Sequence, residues 1–240
     1  MKLVFKLFTA AALISGVSAQ AQTADELIEK HIAAIGGKDV ISSIKSQIIE
    51  STISVMGTEL PSVTSILVGK GFKNVANFNG QEIIQVVTPT GGWLLNPFQG
   101  ATSPEPLPED QVKAGQTSFD VGGEFFNYKE KGSAVELAGT EKLDGKTAYK
   151  LNLTNKDGKL TTLYLDSATS YLVKREVSTA VGGQNVTVVS SFSNFKKTDI
   201  GLVIPFSWST NQDGLDLAFT INKVTYNTEI DPKIFEMPKG

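Results

Sequence analysis

Apolar and polar residues alternate with a period of two along most of the chain, starting near residue 46. In the first run, Ile49, Ile53 and Val55 share one parity, and Glu50 and Thr52 share the other. This alternation is typical of a β-strand that buries one face. Further strands are predicted over residues 72–78, 83–87, 134–143, 147–154, 160–166, 172–178, 185–195, 203–210 and 215–226. We expect about eleven strands in all.

Tight turns separate these runs. Pairs of residues that tolerate the positive φ angles of two-residue hairpins lie between neighbouring strands. They are Asn79-Gly80, Asp144-Gly145, Asp157-Gly158, Gly182-Gly183 and Asp213-Gly214. Short turns join strands that are neighbours in the chain, so we expect an antiparallel, up-and-down sheet. A sheet of this size normally curls or closes.

An amphipathic helix is predicted before the sheet. Thr23 and Glu26 fit a capping box at its start, and the glycines at positions 36 and 37 end it. Its apolar face consists of Leu27, Ile28, Ile32 and Ile35. A second short helix is predicted over residues 39–45. His31 lies beside the apolar face and is expected at the surface or at its boundary, because no partner motif for a general base accompanies it.

One stretch interrupts the sheet pattern. Four prolines between residues 97 and 108 are incompatible with a central strand. Pro108 fits the start of a short helix, and a second helical piece is predicted over residues 119–128. We expect the first helix and this insertion to cover the concave side of the sheet, with apolar residues lining a pocket between them. The candidates for the pocket, each of which is also a candidate for ordinary core, are Trp93, Leu95, Phe98, Phe125, Phe126, Phe206, Trp208 and Phe219.

Residues 1–22 have the pattern of a secretory signal peptide. Lys2 and Lys6 precede an apolar run over residues 7–17, and cleavage is predicted after Ala19 or Ala21. The run is shorter than the roughly 20 residues of a membrane span. We therefore expect an exported, soluble protein in which residues 23–240 form a single domain. No cysteine follows the run, so acylation as a bacterial lipoprotein is not expected.

The composition excludes several kinds of chemistry. The 240 residues include no cysteine, one histidine and one arginine, Arg175. Disulfides, thiolate nucleophiles and cysteine-ligated metals are therefore excluded, and a Ser-His-Asp triad is disfavoured. Without residues 1–22, 20 basic residues face 25 acidic ones, a net charge of −5. An acidic chain with one arginine is poorly suited to nucleic acid, and we expect neither a cofactor nor a metal.

Several segments carry a resemblance to a known family. They are residues 24–31 (ADELIEKH) with 34–37 (AIGG), residues 165–176 (LDSATSYLVKRE), residues 199–206 (DIGLVIPF) and residues 227–238 (NTEIDPKIFEMP). In their order and spacing they resemble the LolA/LolB superfamily of periplasmic lipoprotein carriers, specifically the outer-membrane lipoprotein-sorting proteins of Bacteroidetes-type bacteria. The resemblance covers nearly all of the chain after the signal peptide.

The resemblance implies a mainly antiparallel, incomplete and strongly curved barrel with helices closing its mouth. It also implies a monomeric, non-enzymatic carrier that shelters acyl chains in an apolar cavity. Its partners would be lipoprotein or lipid cargo, inner-membrane release machinery and an outer-membrane acceptor. Relatives from proteobacteria hold the lid with an arginine in an early strand. Lys70 and Lys73 occupy that region here, so no lid residue is transferred.

Three functions stay open at this stage, because a fold alone does not fix function. The first is a carrier of lipoprotein, free lipid or another apolar ligand. The second is a non-catalytic envelope sensor or interaction module that uses the outer sheet face or an exposed edge strand. The third is a hydrolase, which would need two carboxylates inside the barrel within reach of one water molecule.

Overall fold

The computed structural model describes residues 22–181, 184–212 and 214–238. The predicted signal peptide, apart from Gln22, lies outside the described residues. So do the predicted turn at residues 182 and 183 and the first residue of the turn at residues 213 and 214.

The strands form one antiparallel sheet that is strongly curved and not closed. It contains thirteen strands in the order β6-β5-β4-β3-β2-β1-β13-β12-β11-β10-β9-β8-β7. Their bounds are β1 Ser46–Val55, β2 Thr58–Leu67, β3 Gly71–Phe78, β4 Gln81–Thr88, β5 Gly91–Leu95, β6 Glu105–Pro106, β7 Ala134–Leu143, β8 Lys146–Thr154, β9 Leu160–Asp166, β10 Leu172–Val181, β11 Gln184–Lys197, β12 Val203–Gln212 and β13 Leu215–Tyr226.

The antiparallel meander and most strand positions are as predicted, but the expected count of about eleven strands is too low. β2 and β5 lie outside the predicted runs: β2 contains Pro61, which has no N–H, and β5 has five residues of which two are glycine. β6 has only two residues, too few for a pattern. The chain pairs its first strand with its last, β1 with β13, and the two-residue turns expected at Asn79-Gly80 and Asp144-Gly145 both have positive φ angles.

The helices are short. They are α1 Ala24–Ala34, α2 Lys38–Ser42 and α3 Glu109–Gly115, with 3-10 turns at Pro97–Gln99, Gln116–Phe119 and Pro232–Phe235. The capping box is confirmed, because Thr23 and Glu26 bond reciprocally, and α3 follows Pro108 as predicted. The helical piece predicted over residues 119–128 is wrong. Turns occupy most of this stretch, and Gly123 has φ +68°, which no α-helix accommodates.

The register of the strands assigns side chains to two faces, since directly paired residues point the same way. Leu151 of β8 and Leu163 of β9 pair and pack against α1. On the other half, a Cβ on Gly115 of α3 would touch Val87 of β4. We call the side on which these residues lie the helix-covered face, and the other side the opposite face. Residues 107–133 link the two edge strands of the sheet, β6 and β7, and we call them the inserted segment.

The main core lies between the helices and the strands β8 and β9. Its most buried members, each under 5% exposed, are Leu27, Ile28, Ile32, Ile41, Ile44, Phe125, Leu151, Leu153, Leu163, Leu165 and Leu202. A second, smaller core joins Val86 and Trp93 to Phe235 of the C-terminal segment. By register Val86 and Trp93 lie on the opposite face, so the second core covers that face, whereas the main core covers β8 and β9 on the helix-covered face.

His31 belongs to the main core, so the expectation of a surface or boundary position is wrong. The side chain is 7% exposed, and its ring meets Phe125 edge to face, with 5.3 Å between centroids. Its Nδ1 lies 2.8 Å from the carbonyl oxygen of Ser170. A carbonyl only accepts, so Nδ1 donates. Burial lowers the pKa of His31, and the bond to Ser170 opposes this only in part.

Candidate functional site

Five central strands place one apolar side chain each in a single row. Ile53 of β1 pairs with Leu60 of β2 and with Phe219 of β13. Phe219 pairs with Trp208 of β12, which pairs with Phe192 of β11. We call these residues the apolar row. The strand pairing carries the face of Ile53 across β2 and β3 to Val87 of β4, which lies beside Gly115 of α3. The row therefore lies on the helix-covered face.

The apolar row is near one end of the sheet. The turns β1–β2, β3–β4 and β12–β13 lie at this end, which we call the distal end, whereas α2 and the β9–β10 turn lie at the other. All five side chains of the row are half-buried. The rings of Trp208 and Phe219 stack with centroids 4.6 Å apart and planes within 5°. A half-buried row of this length gains stability when an apolar ligand covers it.

Acidic side chains of the strands avoid the face that carries the row. By register, the only acid of a described strand on the helix-covered face is Glu105, on the edge strand β6. The strand acids on the opposite face are Glu50, Glu59, Glu82, Glu136, Glu141, Asp166, Glu176 and Asp216. A surface without acids retains acyl chains without the desolvation cost that a nearby carboxylate would impose.

Hydroxyl and amide groups lie next to the row. Ser51 and Ser62, which pair across β1 and β2, are buried. Asn74 of β3 donates to Ser62 Oγ at 2.7 Å and to Thr64 Oγ1 at 2.8 Å. The Ser51–Ser62 pair thus lies two positions along the strands from Ile53 and Leu60, on the side away from the β1–β2 turn.

An ion pair ties the inserted segment to the sheet. Arg175 of β10 donates through Nε to Glu124, and both side chains are about 30% exposed or less. Arg175 pairs with Ser190 of β11, two positions along the strand from Phe192 of the row. The only arginine of the chain thus ties the inserted segment to β10. Sequence reasoning missed this role, because it sought the contact in an early strand.

A second set of contacts holds the inserted segment to α1. Asp25 accepts hydrogen bonds from Tyr128 Oη and from Lys129 Nζ, the latter at 2.8 Å. These bonds, chiefly the one from Lys129, lower the pKa of Asp25. Burial and the carboxylate of Asp25 raise the pKa of Tyr128. Along the chain, Phe125 lies between Glu124 and Tyr128, and its ring contacts His31.

The sequence-predicted pocket residues fall into separate places. Trp208 and Phe219 lie together in the apolar row, and Phe206 lies on the same face by alternation along β12, 4.7 Å from Lys196 Nζ. Phe125 and Phe126 pack with the main core. The remaining three lie at the β4–β5 side: Trp93 and Leu95 join the second core, and Phe98 is 47% exposed and contacts Phe78. Ligand binding by each of them stays a prediction.

The opposite face carries a cavity of about 780 Å³. Its floor spans β11, β12 and β13, whose side chains on this face are small: Ser191, Ser193, Ser207, Ser209, Ala218 and Thr220. Trp208 and Phe219 also border the cavity, although register directs their rings to the other face. Lys142, Lys146 and Lys174 are among its lining residues. Such a lining favours a polar ligand over an acyl chain.

Asp166 lines the same cavity and serves a structural purpose. Its carboxylate accepts from the main-chain N–H groups of Ala168 and Thr169 and from Thr169 Oγ1, at 2.8–3.0 Å. Burial raises its pKa, but these bonds outweigh that effect and the pKa is lowered overall. Beside it, burial and Glu176 raise the pKa of Tyr164. Both carboxylates are therefore committed to internal hydrogen bonds.

The described residues contain neither a metal-binding cluster nor a membrane-spanning helix. Within them, no group of three or more histidine and acidic side chains is placed to hold a metal ion. Of the helices in the same part of the chain, none is long and apolar enough to span a membrane.

Comparison with known proteins identifies the fold. The sequence matches no protein-family model and no curated protein. The structure is similar to a LolA superfamily protein from Nitrosomonas europaea, with TM-score 0.59, 16% identity, and 90% and 98% of the two chains covered. It is similar to a DUF1329 family protein from Desulfovibrio piger, with TM-score 0.58, 14% identity and 88% and 96% coverage. It is also similar to a domain from Vibrio parahaemolyticus named for outer membrane lipoprotein sorting, with TM-score 0.56, 15% identity and 88% and 94% coverage. The chain has a LolA-like fold.

Proposed function

We propose that this LolA-like chain binds the acyl chains of a lipid or lipoprotein on the helix-covered face and carries them between membranes of the cell envelope. The apolar row is the observation that supports the proposal most directly. It presents five half-buried apolar side chains in register, on a face whose strands carry acids only at one edge position.

The energetics of the row suit an acyl chain. Each methylene removed from water contributes about 0.8 kcal/mol, so the contact of several methylenes with the row offsets the cost of taking a lipid out of a membrane. A carrier needs no catalytic group, and the row supplies none. Ser51 and Ser62, which are buried beside the row, have hydroxyl groups that would donate to the carbonyl oxygen of an ester or amide linkage of the same ligand.

The compartment follows from the predicted signal peptide. Export through residues 1–22 would place the protein in the periplasm, where lipids and lipoproteins must cross water between the inner and outer membranes. We propose that an inner-membrane release machinery and an outer-membrane acceptor are its partners, and that the carrier works as a monomer.

The proposal is tested by direct binding. The protein is extracted with organic solvent, the extract is analysed by mass spectrometry, and the delipidated protein is titrated with a fluorescent fatty acid and with a triacylated lipopeptide. Phe219→Ser removes the stacked ring from the centre of the row. We expect it to weaken binding of both probes about tenfold or more, since burial of such a ring contributes about 1.5–3 kcal/mol.

The matched control is Phe195→Ser. Phe195 also stacks on an aromatic ring, Tyr171, with 4.7 Å between centroids, but it is not part of the row. Binding by this variant should equal that of the wild type. Equal losses in both variants, or a wild-type protein that yields no lipid and binds neither probe, would contradict the proposal.

A second candidate function is an interaction module, which the opposite face favours. The cavity of about 780 Å³ has lysines in its lining, and β7 ends the sheet with ten mostly exposed residues and one unpaired edge. An exposed edge is a template for strand pairing. Crosslinking in intact cells from a photoreactive residue at position 138 of β7 would recover a defined protein partner if this function holds, and no partner if it does not.

A further inference from the structure

The turn between β1 and β2 holds an unusual residue. It consists of Met56, with φ +49°, and Gly57, with φ +80°. Positive φ angles at both central positions define the hairpin turn that favours Asn-Gly or Asp-Gly. The other described non-glycine residues with positive φ are Asn79, Asn127, Asp144, Ser170, Asn194 and Asn227, all with short polar side chains. Met56 is the only large apolar residue among them.

Met56 is also 89% exposed. It therefore contributes almost nothing to packing, and its backbone conformation is one that a long side chain disfavours. The turn would be more stable with asparagine at this position. The methionine thus places an apolar side chain at the exposed tip of the β1–β2 hairpin.

The surroundings extend this apolar point. Leu215, at the start of β13, is 45% exposed, and the register of Val55 with Leu217 brings it next to the Met56 turn. Ile53 of the apolar row lies three residues before Met56. Between the turn and the row, Val55 and Leu217 pair with each other and share the face of Ile53 and Phe219, so half-buried apolar side chains continue along β1 and β13 onto the row.

We propose that Met56 and Leu215 insert into the surface of a lipid bilayer and dock the distal end of the sheet on it. The inference rests on the proposed function, in which the row receives acyl chains. We favour a lipid surface over a protein partner because of the continuity with the row. An acyl chain that leaves a docked bilayer would reach Ile53 without crossing water, which removes the largest cost of its transfer.

The test measures binding of the purified protein to vesicles of phosphatidylcholine and phosphatidylethanolamine by flotation. Met56→Asn replaces the apolar side chain with the residue that the turn geometry favours, so folding is preserved or improved. We expect this variant to bind vesicles about tenfold more weakly than the wild type. Since the docking is apolar, raising the salt concentration should leave wild-type binding unchanged.

The matched control is Val68→Asn. Val68 is 41% exposed in the turn between β2 and β3, at the opposite end of the same hairpin strand, and its substitution should leave vesicle binding unchanged. Equal binding by wild type and Met56→Asn, equal losses in both variants, or binding that salt abolishes would each overturn the proposal.

A separate readout keeps this inference distinct from the proposed function. Fatty-acid binding in vesicle-free solution reports on the row alone, and Met56→Asn should leave it unchanged while slowing lipid transfer between vesicles. If the wild type binds vesicles through Met56 but takes up no fatty acid, the docking surface stands and the carrier function fails. If it takes up fatty acid and Met56→Asn has no effect on vesicle binding, the reverse holds.

Discussion

His31 makes the stability of this protein depend on pH in a range where no other side chain has its ordinary pKa. It is the only histidine of the chain, and the folded state buries it in the main core, where its pKa falls below the ordinary value of 6.5. The unfolded chain restores the ordinary value. Between pH 7.5 and 5.5 the unfolded chain therefore binds more protons than the folded protein does, and acidification favours unfolding.

The size of the effect follows from linkage. If the buried ring stays neutral down to pH 5.5, protonation of the unfolded chain lowers the free energy of unfolding by about 1.4 kcal/mol between pH 7.5 and 5.5. Because burial depresses the folded pKa of His31, its contribution to the free energy of unfolding is fully present above the unfolded pKa and is lost as the pH falls below that value.

Urea unfolding at the two pH values, followed by circular dichroism, measures this difference. His31→Asn places an amide nitrogen near the position of Nδ1, keeps the hydrogen bond to the Ser170 carbonyl, and does not titrate. We expect the variant to lose most of the pH dependence, whatever its absolute stability. Wild-type protein equally stable at both pH values, or a variant with the same pH difference as the wild type, would refute the reasoning.

Three further predictions concern other contacts. Arg175→Met should lower the free energy of unfolding by about 1 kcal/mol, and a double-mutant cycle with Glu124→Gln should give a coupling energy of similar size; additive losses would show that the pair contributes nothing. Gly36→Ala should lower it by about 1–3 kcal/mol, because φ is +127° and the new Cβ would lie 2.9 Å from the Gly201 carbonyl oxygen; an unchanged melting temperature would contradict this. Asp166 has a depressed pKa, so its contribution is present above its ordinary pKa of 3.8 and lost as the pH falls further; Asp166→Asn should reduce the loss of stability that chemical denaturation records in that acid range, and an unaltered acid profile would contradict it.

Several elements were predictable because their causes are local. The capping box at Thr23, the hairpin at Asn79-Gly80 and the short helix after Pro108 each depend on residues within a few positions of one another. The helical piece over residues 119–128 was predicted wrongly, because Phe125 and Tyr128 make their contacts with α1, which is far away in the chain.

The candidate site was predictable only in part. Trp208 and Phe219 are evident as aromatic residues in strand patterns, but Ile53, Leu60 and Phe192 look like any other alternating strand position. Their alignment depends on the pairing of β1 with β13, which joins the two ends of the chain. No local pattern encodes this pairing, since any edge strand with free N–H and C=O groups could serve.

The sequence by itself determined the class of fold, the antiparallel order of neighbouring strands and, through the lack of cysteine, the absence of thiol chemistry, because periodicity, turn geometry and composition act at short range. Only the tertiary structure decided which face of each strand the helices cover, that His31 is buried, and that Arg175 holds the inserted segment. These outcomes depend on contacts between residues tens to more than a hundred positions apart, where packing and desolvation outweigh local preference.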